Sequence, residues 1–68
     1  MISWKRISPG NYKSKDGRFM IRKTWNRVYG DYWELVDKDE PDRYKGMYIE
    51  KTLLDCKMKA ENLEQKAN

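Results

Sequence analysis

The chain has no histidine, one cysteine, one phenylalanine and two prolines among 68 residues, and no long apolar run. Without histidine it lacks the commonest zinc ligand and the commonest general base. One cysteine cannot close an internal disulfide. No segment approaches the roughly 20 apolar residues that span a bilayer. Met1 to Arg6 runs directly into polar sequence, with no apolar signal core, so the expected setting is the cytoplasm and no membrane partner is expected. There is no Walker loop and no GxGxxG. The acids between Asp37 and Asp42 lack the spaced oxygen ligands, central glycine and terminal glutamate of a calcium loop. A hydrolase, a nucleotide enzyme and a redox enzyme therefore all lack necessary parts, and the expectation is a non-enzymatic protein without cofactor or metal.

What the chain does have is charge and aromatic area. Three Trp, five Tyr and one Phe in a chain that is 38% charged argue for a thin, aromatic-rich core rather than disorder. A chain of this length is one domain, read as a sheet region over 1–50 and a helix over 51–66. Burial and chain entropy nearly cancel at this size, so either a monomer or a homodimer is compatible with the sequence. Charge is unevenly placed. Residues 1–30 carry eight basic side chains against one acid, net +7; residues 31–50 carry net −4 and the remainder net +1. The basic pole suits a phosphate backbone or an acidic protein surface.

The pattern centres on Lys15-Asp16-Gly17-Arg18, a turn signal, followed by Phe19 to Trp25. A side-chain period of two puts Phe19, Ile21 and Trp25 on one face and Arg18, Met20, Arg22 and Thr24 on the other. Asn11 to Ser14 forms the first limb of this hairpin, with Tyr12 crossing to Phe19 or Ile21. After a second turn at Asn26 to Gly30, Tyr32 to Val36 alternates again, with Trp33 and Leu35 on one side. The result is α+β: a three-stranded antiparallel meander packed on one C-terminal helix. Ile2 to Ile7 is a short strand or an extended arm broken by Pro9-Gly10, and Tyr44 to Ile49 offers a short extra edge strand. Asp37 to Arg43 reads as an exposed, solvated loop.

The helix begins at Thr52, a hydroxyl N-cap with Asp55 three residues on. Leu53, Cys56, Ala60, Leu63 and Ala67 then recur at spacings of three and four, a stripe that should cover Phe19, Ile21, Trp33 and Leu35. Trp4, Tyr12, Phe19 and Trp33 are expected to be core. Cys56 behaves in such a stripe as a small buried hydrophobe.

Trp4, Pro9-Gly10, Tyr12, Ser14, Asp16-Gly17-Arg18-Phe19, Ile21, Trp33, Leu35, Thr52-Leu53, Lys57 and Ala60-Glu61 together resemble short phage- and prophage-encoded proteins, a likeness that carries no activity. The Lys15 to Phe19 turn and the Thr52, Asp55, Cys56 helix start are also similar to the AP2-like arm-binding domain of phage and transposon tyrosine recombinases. That resemblance implies a three-stranded sheet on one helix, with the sheet face entering the major groove of DNA. It would make Arg18, Arg22 and Arg27 contacts. The acids from Asp37 to Asp42 depart from it, and no recombinase catalytic domain is present.

Arginine donates in pairs to phosphate and guanine, and the major groove admits a β-sheet. The leading expectation is therefore duplex DNA binding by Arg18, Arg22, Lys23 and Arg27, helped by Lys13 and Arg6. The alternative is a phage accessory protein that binds and inhibits or redirects a host protein, with exposed Trp25 and Tyr29 at the interface. A dimer formed through the sheet edge or the helix is a third reading.

Overall fold

A computed structural model describes residues 1–66. Five strands precede one helix: β1 (Trp4–Ser8), β2 (Asn11–Ser14), β3 (Phe19–Asn26), β4 (Gly30–Asp37), β5 (Met47–Glu50) and α1 (Leu53–Lys66). The strands form one antiparallel meander in chain order. The β2–β3 and β3–β4 hairpins are those the sequence predicts, with Tyr12 opposite Ile21 and Ile21 opposite Leu35. Two flanking strands, each offered by the sequence as one option, extend the three-stranded meander to five. Pro9 does not leave the N-terminal segment as a free arm, because it sits in a turn where Gly10 supplies a φ of +78°. Trp4 thus comes opposite Ser14. Residues 47–50 pair with β4, which places Trp33 opposite Glu50.

One face of the sheet is covered by α1, which packs on β3, β4 and β5. Phe19, Ile21 and Leu35 are buried beneath Cys56 and Ala60, whose small side chains let the helix come close to the sheet. Trp4, Tyr12, Trp33, Tyr48, Leu53 and Leu63 pack partly buried around them, so of the four expected core aromatics only Phe19 is fully enclosed. Ala67 lies outside the described residues. Thr52 caps the helix: the Asp55 N–H donates to its Oγ1 at 3.1 Å and the Cys56 N–H to its carbonyl at 3.2 Å. Ile2 is buried too, its N–H donating to Glu61 Oε1 at 2.9 Å, which ties the start of the chain to the helix.

Because α1 starts just after β5, beside the Trp33–Glu50 pair, the far end of the β3–β4 hairpin projects past the helix. Trp25 shares the core-side face with Ile21 yet is 64% exposed, since nothing reaches over it.

Candidate nucleic-acid interface

The turn before β3 is fixed by Ser14 and Asp16. The Ser14 hydroxyl, buried at the end of β2, donates to Asp16 Oδ1 at 2.6 Å and accepts the Phe19 N–H at 2.9 Å; the Arg18 N–H donates to the same Asp16 oxygen at 3.0 Å. Gly17, at φ +82°, closes the turn. These bonds, with the Ser14 hydroxyl foremost, hold the Asp16 carboxyl below its ordinary range.

Arg18 is placed by this turn on the helix side, against the expectation that it shares a face with Arg22. Its Nε and Nη2 donate to Asp37 Oδ1 and Oδ2 at 3.1 and 3.2 Å, and Asp39 lies 3.5 Å away. The guanidinium stands 4.7 Å from the centroid of the Phe19 ring and is 16% exposed. The hydrogen bonds it donates to Asp37 raise its pKa. Strand alternation does not govern it, because it precedes β3. Asp37 in turn is no solvated loop residue. It ends β4, is buried, and also accepts the Asp39 N–H at 3.1 Å.

The other face of the sheet carries no helix. Strand alternation and register put Lys5, Asn11, Lys13, Arg22, Thr24 and Asn26 on its β1–β3 half. Lys5 and Lys13 are directly opposite each other. Like charges in that position repel, and neither lysine belongs to an ion pair among the described residues. Arg22 touches Glu34 through Nε alone, at 3.2 Å, and remains 61% exposed. Toward β5 the open face changes character, in a groove that spans β3 to β5. Met20, Val36 and Met47 line this groove of about 280 Å³ together with Arg22, Glu34 and Arg43.

The remaining expected site residues are dispersed. Arg6, opposite Tyr12, and Lys23, whose Nζ is 6.0 Å from the Trp33 ring centroid, lie on the helix side. Arg27, exposed, sits in the hairpin turn, where the Val28 and Tyr29 N–H groups donate to Asn26 Oδ1 at 2.9 and 2.6 Å. Trp25 and Tyr29 are 64% and 75% exposed. The structure thus brings Lys13 and Arg22 together on the open face and separates them from Arg6, Arg18, Lys23 and Arg27. Sequence reasoning missed Lys5 and Asn11. Alternation from inward-facing Trp4 would have found Lys5 once β1 was paired with β2.

Cys56 is fully buried, and desolvation, helped by Glu50 and Asp55, pushes its thiol up to about 12. Among the described residues no group of three or more His, Cys, Asp or Glu side chains is placed to hold a metal ion, and no helix is long and apolar enough to cross a membrane. No family model, curated protein or solved structure matches the chain.

Proposed function

We propose that this protein is a non-catalytic module that binds duplex DNA with the open β1–β3 face of its sheet. The observation that carries this reading is the Lys5–Lys13 pair, two lysines directly opposite each other on neighbouring strands, neither of them in an ion pair among the described residues. Such a pair costs stability in the free protein and is relieved by an anion between the two strands. Beside it, Thr24 offers a hydroxyl that can donate and accept, and Arg22, bonded to Glu34 through Nε, has its terminal nitrogens in no hydrogen bond among the described residues and can present them to phosphate or guanine. Arg18 takes no part, and Lys23, Arg6 and Arg27 flank the face rather than belong to it.

The test is titration of a fluorescent duplex over a range of salt. Log K should fall linearly with log salt at about −0.9 per phosphate engaged. The double variant Lys5→Glu, Lys13→Glu should abolish binding while the far-ultraviolet spectrum stays unchanged. Failure of the wild-type protein to bind any duplex at low salt ends the reading.

A second reading is supported by a different observation. Val28 and Tyr29 are 83% and 75% exposed on a turn stiffened by Asn26, and Met20, Val36 and Met47 line a groove on the open face. These surfaces suit a protein partner, as a phage accessory protein acting on its host would require. Pull-down from host lysate separates the two: a stoichiometric protein that survives nuclease treatment favours the second.

A further inference from the structure

Past the N-terminus of α1, on the helix side of the sheet, lies an open cleft of about 580 Å³ lined by Pro9, Gly10, Lys23, Thr24, Trp25 and Asp31. Its walls are seated on each other by short contacts. The Lys23 N–H donates to the Gly10 carbonyl at 2.7 Å, and a Cβ at Gly10 would stand only 3.2 Å from Lys23 Cβ, so the Pro9-Gly10 turn rests directly on β3. Two residues along the same face is Trp25, and directly across from it on β4 is Asp31. The cleft is thus lined by an exposed indole, Trp25, with a carboxylate, Asp31, opposite it and a lysine, Lys23, beside it, whose Nζ lies 6.0 Å from the Trp33 ring centroid. Neither Lys23 nor Asp31 is spent on an ion pair among the described residues.

We infer that this cleft takes one unpaired nucleobase of a bound nucleic acid, stacked on Trp25. This inference rests on the nucleic-acid reading above and adds a site on the opposite side of the sheet. A stacked base needs a flat aromatic face and tolerates any ring, whereas a base inside a duplex has both faces covered. Asp31 accepts hydrogen bonds only, so it selects bases with adjacent N–H donors; guanine, with its ring N–H beside its amino group, presents such a pair. The same carboxylate repels the attached phosphate, which therefore lies on the Lys23 side of the ring. Strand ends, overhangs and single-stranded stretches are the substrates this arrangement fits.

Fluorescence anisotropy of the full chain with three probes tests this: a short blunt duplex, the same duplex with a guanine overhang, and the same duplex with a thymine overhang. The wild-type protein should bind the guanine overhang most tightly. Trp25→Ala should lose about tenfold on the overhang probes and nothing on the blunt duplex. Trp25→Phe should recover most of that loss, and Asp31→Asn should erase the preference for guanine over thymine. Equal binding of blunt and overhang probes by the wild type, or an overhang affinity indifferent to Trp25→Ala, overturns the cleft and leaves the open-face reading standing. Binding of no probe at low salt overturns both.

Discussion

Arg18 and Asp37 form a two-pronged ion pair at the corner where β3 begins and β4 ends, with bonds of 3.1 and 3.2 Å. Both are largely shielded, at 16% and 7% exposure, so removing one leaves the other charged and poorly solvated. Asp37→Ala should therefore destabilise the fold by about 3 kcal/mol, the lower end of what breaking a buried pair costs. Urea titration checks the size. In a double-mutant cycle the Arg18→Ala, Asp37→Ala protein should lose less than the sum of its two singles. Duplex affinity per folded molecule should be unchanged by Arg18→Ala, which separates this arginine from Lys13 and Arg22.

Asp16 governs the acid limit of the same corner. The hydroxyl of Ser14 and the N–H of Arg18 hold its folded carboxyl below the ordinary value of 3.8. As pH falls, the unfolded chain takes up this proton first, so the contribution is complete above 3.8 and is lost as pH drops through the lower folded value. Unfolding curves collected from pH 5 downward should show a steeper acid loss for the wild type than for Asp16→Asn. Parallel curves for the two would refute the assignment.

The contrast between these two acids shows which parts of the molecule were legible in the sequence. The hairpin and helix were readable because local chemistry specifies them: Asp16-Gly17 for the turn, alternation for β3 and β4, Thr52 and the Leu53, Cys56, Ala60 spacing for α1. Exposed Trp25 and Tyr29 were readable from their place beside a turn. The outer strands were legible only as options, Ile2 to Ile7 as a short strand or an arm and Tyr44 to Ile49 as a short edge strand, since β1 and β5 are held by pairing with β2 and β4 rather than by a strong pattern of their own. The side taken by Arg18 was hidden for another reason. Its direction is set by a carboxylate 19 residues away, and alternation applies only to residues inside a strand.

Cys56 sets an alkaline counterpart. Its buried thiol is pushed from an ordinary value of 9.0 up to about 12 by desolvation first, then by Glu50 and Asp55. Between those values the unfolded chain gives up a proton that the folded chain keeps, so stability falls as pH rises. The slope from this one group approaches about 1.4 kcal/mol per pH unit. Because lysines and tyrosines also titrate there, the measurement is the difference between wild type and Cys56→Ala, which should lack this slope. A thiol reagent at neutral pH should react only as fast as the protein opens.

Gly46 is needed for space rather than for an unusual backbone angle. A Cβ there would stand 2.8 Å from the Asp37 carbonyl oxygen, and the Asp37 N–H donates to the Gly46 carbonyl at 2.7 Å. The Asp37 backbone cannot easily yield and Glu40 Cβ would stand 3.1 Å away, so Gly46→Ala should cost about 1–3 kcal/mol, in the range of overpacked sites. A thermal melt of the variant measures it, and an unchanged midpoint would show that the loop before β5 gives way.

Lys13 should show stability and binding moving in opposite directions. Facing Lys5 across β1 and β2, it adds repulsion, and neither lysine is in an ion pair among the described residues. Lys13→Gln keeps most of the side-chain length and removes the charge, so it should stabilise the isolated protein by about 0.2–1 kcal/mol. The gain should shrink in high salt, where the repulsion is screened. On duplex DNA the same variant should bind more weakly and lower the magnitude of the salt slope by about one phosphate contact. A surface lysine with no ligand would show the first effect alone, and a lysine that merely supports the sheet would show a loss of stability. The paired result, firmer fold and weaker binding from one substitution, is the signature of a charge kept at a cost to the fold for the sake of an anionic partner.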